Sequence, residues 1–98
     1  MSTDVTIFNQ ISIRIIKQQA LIIGPLAWDE ARKVPGLVVV DQKNAQVEIS
    51  TDDPKEIINK LVAQYERLFG KLSHEICREA AEDLVSNLDA SEIPSSLK

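Results

Sequence analysis

The sequence predicts an α+β domain, mainly helical, with the element order α-α-β-β-α-α. Three observations carry this reading: a capped amphipathic segment beginning at Asp53, a period-two segment between Gly36 and Ser50, and an internal similarity that sets residues 15–32 on residues 61–78 at an offset of 46. The first 34 residues are the ambiguous part. Val5, Ile7, Ile11, Ile13 and Ile15 alternate as a strand would, whereas Phe8, Ile11, Ile15, Ile16, Ile22, Ile23 and Leu26 share one helical stripe about 140° wide. A strand here gives the alternative fold, a three- or four-stranded antiparallel sheet packed on two C-terminal helices.

The internal comparison decides for helix. It sets Ile15-Ile16 on Leu61-Val62, Gln18 on Gln64, Ile22-Ile23-Gly24 on Leu68-Phe69-Gly70, Leu26 on Leu72 and Arg32 on Arg78. If the second copy is helix, glycine, helix, so is the first. The expected elements are a helix from 4 to 23 and a short helix from 25 to 33, opened by Pro25 after Gly24 and stopped by Pro35-Gly36. Whether the offset marks a duplication is left open at this point, because amphipathic helices broken by glycine resemble one another in any case.

Between Gly36 and Ser50, Leu37-Val38-Val39-Val40 is a β-branched run and Ala45-Gln46-Val47-Glu48-Ile49 alternates, with Asp41-Gln42-Lys43-Asn44 supplying turn chemistry. A hairpin is expected, its first strand buried on both faces and its second an edge with Gln46 and Glu48 toward solvent. Asp53-Pro54-Lys55-Glu56 then offers an N-cap acceptor and proline at the first helical position. Ile57, Ile58, Leu61, Val62, Tyr65, Leu68 and Phe69 follow on one face, predicting a helix over 54–69.

The next apolar set, Ile76, Cys77, Ala80, Ala81, Leu84, Val85 and Leu88, is rotated by roughly 110° on the same helical count, so one straight helix cannot bury both. Gly70 is the expected break and Ser73 the expected N-cap of a further helix over about 74–88; a kinked continuous helix is the alternative. The domain is expected to span 1–89. Residues 90–98, with Pro94 and three serines, are expected as a flexible tail unless Ile93 and Leu97 dock on it.

Composition narrows the function. With 98 residues, 44% of them apolar, the chain supports one core and not two. No apolar run approaches the ~20 residues of a membrane span, and the single Cys77 allows no internal disulfide, so a soluble cytoplasmic protein is expected, with no membrane partner. The net charge of -4 lies wholly in residues 51–98, where ten acids face six bases. Acidic residues on the last helix repel phosphate, which argues against nucleic acid and against a helix-turn-helix reading of the Gly70 junction.

No catalytic residue is predicted. His74, Glu75 and Cys77 form the only cluster of differing reactive groups, but the chain has no second His or Cys to complete a metal site and nothing that resembles an oxyanion hole. Cys77 is expected as a small core residue and His74 as a surface residue at a helix start. No glycine-rich phosphate loop exists among three isolated glycines, so no cofactor is expected. The remaining reading is a small interaction or regulatory module, a homodimer formed through the Ile-rich N-terminal segment, with Ile7, Ile13 and Leu21 outside the main stripe and Trp28 as candidate interface residues. A heterologous protein partner is compatible with the same surface. The alternative is a small-molecule sensing domain with a pocket near Trp28, and the default for Trp28 itself is a core role.

Overall fold

The computed structural model describes residues 5–50 and 53–98 and shows the expected order. Helix α1 runs Val5–Ile23, α2 Leu26–Ala31, strands β1 Leu37–Asp41 and β2 Gln46–Ile49, α3 Pro54–Phe69 and α4 Lys71–Val85, followed by two single 3-10 turns at Ala90–Glu92 and Ser95–Leu97. The expected first residue of α1, Asp4, lies outside the described residues. Because residues 5–23 are helical, the alternative with N-terminal strands is not what forms: among the described residues the sheet has two antiparallel strands, with Leu37 opposite Ile49 and Val39 opposite Val47.

The core is a layer of helices around α1, which packs on α2, α3, α4 and β2. Its buried face is Phe8, Ile11, Ser12, Ile15, Ile16 and Gln19, the stripe of helical period rather than the alternating set. Helix α3 begins as its sequence requires, with the Asp53 carboxylate accepting from the backbone N–H of Glu56 and Pro54 in the first turn. Three local expectations are corrected. Helix α4 starts at Lys71, not near 74, because Gly70 takes φ 89°, ψ −177° and turns the chain in one residue; Ser73 is therefore inside the helix and buried. The helix ends at Val85, with Asn87 and Leu88 in turns hydrogen-bonded to Leu84 and Val85. Strand β1 is covered on one face only: Leu37 is buried and Val38 and Val40 are exposed, since a two-stranded ribbon has α1 on one side and solvent on the other. Strand β2 alternates as expected, with Gln46 and Glu48 outward.

The 46-residue offset holds in three dimensions. Buried positions coincide at Ile11/Ile57, Ser12/Ile58, Ile15/Leu61, Ile16/Val62, Gln19/Tyr65, Ala27/Ser73 and Ala31/Cys77. Both junction glycines have positive φ, and a Cβ built on either meets nothing within 4 Å. Backbone conformation, not space, demands glycine there. Hydrogen bonds repeat too: Gly24 N–H to the Ala20 carbonyl (2.9 Å) matches Gly70 to Glu66 (2.8 Å), and Ala27 to Gly24 (3.1 Å) matches Ser73 to Gly70 (3.1 Å).

The two units are also tied reciprocally. The Gln19 amide donates to the Ser73 carbonyl at 3.1 Å, and the Tyr65 hydroxyl donates to the Ala27 carbonyl at 2.6 Å. Residues 19 and 65 are equivalent at the offset, and so are 27 and 73. Contact i to j′ with its mirror i′ to j is the signature of a two-fold relation, here within one chain. Burial also pushes the Tyr65 phenol well above its usual pKa, so it stays a neutral donor over the working range of pH.

Two outcomes follow for stability. Tyr65→Phe removes one buried strut and is expected to lower the urea unfolding free energy by about 1 kcal/mol. Ser12 is fully buried and, among the described residues, its hydroxyl is the one buried side-chain polar atom with no partner. Ser12→Ala removes an unsatisfied hydroxyl and improves helix propensity, so chemical denaturation should show a gain of about 1 kcal/mol.

Candidate functional site

Of the four residues singled out in the sequence, Ile7 and Ile13 are half-buried against the core, Trp28 is 7% exposed within it, and Leu21 alone stands out at 79%. Trp28 therefore takes the core role expected by default. The structure gathers a different set around Leu21. Gln19 touches Ser73, so the C-terminal end of α1 lies beside the start of α4; Tyr65 touches Ala27, so the end of α3 lies beside the start of α2. Both glycine junctions thus meet at one end of the molecule. Leu21, Ile22, Leu26, Leu68, Phe69 and Leu72, all within about one helical turn of those contacts, are large apolar side chains left exposed there, Leu72 at 72%. The offset pairs Ile22 with Leu68 and Leu26 with Leu72, while Leu21 corresponds to Arg67 and Phe69 to the half-buried Ile23, so the two contributions match in part.

A second constructed region lies where the C-terminal residues return over α3 and α4. Leu97 is 4% exposed and Pro94 is buried; Ile93 packs on the core as a half-buried residue. The segment expected as a flexible tail is docked in this structure through the two residues named as its anchors, and the boundary at 89 does not separate packed from unpacked chain. The Asn59 side-chain carbonyl of α3 accepts both the Ser96 backbone N–H (3.0 Å) and the Ser96 hydroxyl (2.7 Å). His74 of α4 is bonded through Nε2 to the Ser96 carbonyl (2.5 Å) and through Nδ1 to the Glu66 carboxylate (2.9 Å). Lys55 Nζ donates to the Ser91 carbonyl at 2.7 Å. Beside the docked segment runs an open cleft of about 580 Å³ whose walls include Val85, Leu88, Ile93 and Leu97, with Arg78, Glu79 and Glu82 at its rim.

The only sequence cluster of reactive groups is pulled apart by these contacts. His74 turns toward Glu66 and Ser96, Glu75 pairs with Arg78 at 2.6 Å, and Cys77 is buried against the Gln19 amide at 3.4 Å. Burial raises the thiol pKa to about 11, partly offset by the Gln19 bond, so Cys77 is not a ready nucleophile at neutral pH. Among the described residues no group of three His, Cys, Asp or Glu side chains is placed to hold a metal ion. Arg32 and Arg78 pair locally with Asp29 and Glu75 three residues earlier, on exposed surface. No helix is long and apolar enough to cross a membrane among the described residues.

Sequence reasoning missed Gln19, Asn59 and Ser96. Gln19 is a polar residue inside an apolar stripe, which is the signal that could have found it. Asn59 and Ser96 carry no such mark, because their roles depend on a chain reversal that pattern does not encode. Comparison with models of known families, with curated proteins and with solved structures gives no match.

The His74 latch has a defined pH dependence. A carboxylate and a carbonyl both accept, so both ring nitrogens must donate, which only the imidazolium can do. The Ser96 carbonyl first and the Glu66 carboxylate next raise the His74 pKa above its ordinary value; Glu75 on its own helix adds to this, and partial burial opposes it. A raised folded-state pKa stabilises the docked state fully below the unfolded value near 6.5 and loses that contribution as pH climbs through the folded value. Amide exchange at Ser96 and Leu97, corrected for intrinsic rate, should show a several-fold loss of protection between pH 6 and 9. His74→Phe should abolish that dependence.

Proposed function

We propose that this chain is a small non-catalytic protein–protein interaction module that forms a homodimer through its apolar pole. The carrying observation is the set of six exposed apolar side chains, Leu21, Ile22, Leu26, Leu68, Phe69 and Leu72, three from each helix–glycine–helix unit and four of them equivalent in pairs, Ile22 with Leu68 and Leu26 with Leu72. Folding has already buried a full core around α1, so these six are surplus to it. Large apolar side chains gathered at one place on a small domain mark a surface that is covered in use. Lys17, Gln18, Arg67, Lys71 and Glu75, exposed along the same helices, supply the polar rim such a surface needs.

Two features support the non-catalytic part of the reading: Cys77 is inaccessible with a raised pKa, and His74 is committed to two partners. A buried, unpaired Cys77 suits a reducing compartment and so the cytoplasm. Exposed Glu79, Glu82 and Asp83 on α4 disfavour a phosphate backbone. The sensing alternative draws little support, because Trp28 packs in the core and five surface grooves of about 260 to 580 Å³ are lined by other residues.

Sedimentation equilibrium tests the reading. The wild-type chain should dimerise in the micromolar range, and Leu72→Asp, at a position that contributes nothing to the core, should leave a folded monomer with unchanged circular dichroism and at least tenfold weaker association. A wild-type chain that stays monomeric at several hundred micromolar would overturn the proposal.

A further inference from the structure

The C-terminal segment is held in a manner that its own packing does not explain. Residues 86–98 form no α-helix or strand of their own, only two single 3-10 turns. They are fixed instead by side chains reaching from two helices: Lys55 donates to the Ser91 carbonyl, Asn59 takes the Ser96 N–H and hydroxyl, and His74 donates to the Ser96 carbonyl. Both backbone polar groups of Ser96 are thereby read from outside, while Leu97 fills an apolar socket next to it and Pro94 is buried two residues before. Side-chain capture of both backbone polar groups, joined to an apolar anchor beside them, is how grooves hold short peptide segments, here one that makes a single 3-10 turn.

The internal two-fold adds an independent observation. At the 46-residue offset Asn59 corresponds to Ile13 and His74 to Trp28, both apolar and both packed on the core. The units also differ at Ser12/Ile58, Ala20/Glu66, Leu21/Arg67 and Glu30/Ile76, but Asn59 and His74 are the two polar members that both bond to the same residue, Ser96. The cleft continuing from Leu97 past Val85 and Leu88 leaves room beyond the docked residues.

We propose that the groove between α3 and α4 is a peptide-recognition site for a partner segment of the form Pro-x-Ser-Leu, and that residues 94–97 occupy it as an intramolecular stand-in for that partner. The ligand is a short, largely uncharged segment whose Ser supplies an N–H, a hydroxyl and a carbonyl and whose Leu fills the socket. An attached tail competes at a high effective concentration, so a free peptide meets a groove that is mostly filled. This inference does not rest on the dimer of the apolar pole, which uses other residues.

The test uses the full chain and a fluorescein-labelled peptide of residues 89–98, followed by anisotropy at pH 6. Leu97→Ala weakens the chain's own anchor, so the peptide should bind that variant at least tenfold more tightly than wild type. Adding Asn59→Ala in the same chain should remove the gain, as should Leu→Asp at the anchor position of the peptide. A folded Leu97→Ala variant that does not bind millimolar peptide, or that binds it equally well without Asn59, overturns the proposal. Should Leu97→Ala fail to fold, wild-type chain labelled with nitrogen-15 answers the same question. Unlabelled peptide should move the Ser96 and Leu97 amide signals saturably toward released positions, and no movement at several millimolar overturns it. A wild-type dimer lost on Leu97→Ala yet retained on Leu72→Asp would assign the groove to the tail of a second copy instead of a partner peptide, and would overturn it too.

Discussion

Two buried hydrogen bonds set the arrangement on which the rest of this molecule depends: Gln19 to the Ser73 carbonyl and Tyr65 to the Ala27 carbonyl. Apolar stripes alone specify that helices bury certain faces, but they leave sliding and rotation nearly free, because leucine against isoleucine is tolerant of register. A buried polar group left without its partner costs about 1 to 3 kcal/mol, so each strut penalises any register but one. Since the struts are reciprocal, one relative placement of the two units satisfies both at once. The positive-φ glycines are the local counterpart, turning each chain sharply enough that the residue three beyond the break, Ala27 or Ser73, presents its carbonyl to the other unit.

Much of this was legible in the sequence, and the reasons differ by element. Helix α3 was specified twice over, by its cap at Asp53-Pro54 and by seven apolar residues at helical spacing. Helix α1 was not specified by its own pattern, since isoleucine at alternate positions serves strand and helix equally; the internal offset resolved it by lending the N-terminal segment the stronger signal of its copy. What escaped was whatever depends on partners distant in the chain. Ser73 has the chemistry of an N-cap and so points to a later start of α4 than the one that forms; its burial follows from the meeting of the two units, where Gln19 takes its backbone carbonyl as Tyr65 takes that of Ala27. The exposure of Val38 and Val40 was hidden because β-branched side chains are favoured on a pleated strand whether or not its second face is covered.

The candidate interface shows the same division. Ile7, Ile13 and Leu21 lie off the main stripe of α1, which marks an interface only for a helix with one covered face, and α1 is packed on by three helices and a strand. A central helix has little surplus, so Ile7 and Ile13 find partners within the chain and Leu21, at its free end, does not. The apolar pole could not be read from any one segment, since it is assembled from the ends of α1 and α3 and the starts of α2 and α4. Sequence pairing of Ile22 with Leu68 and of Leu26 with Leu72 was visible; that all four are exposed was not.

An internal two-fold also makes differences between the halves informative in a way that single residues are not. Where both units keep the same character, as at Ile15 and Leu61 or Ala31 and Cys77, the common fold accounts for it. Where they part, the segment that follows each unit is one place to look for the cause, because α2 leads into a hairpin and α4 into two 3-10 turns. Ile13 against Asn59 and Trp28 against His74 are such departures, and both polar members converge on Ser96. The first unit is followed by a hairpin whose β2 packs on α1, with Asn9 accepting the Ile49 N–H at 3.0 Å; the second is followed by a segment with no ladder of its own. One long helix thus covers itself with a hydrogen-bonded ribbon and the other with a strip of chain that side chains must hold. The second arrangement has the lower internal cooperativity, since no backbone ladder links its residues, and it is expected to open before the hairpin does. Opening there would take Leu97 and Ile93 out of the core cluster and leave the packing of α1 on α2, α3, α4 and β2 in place.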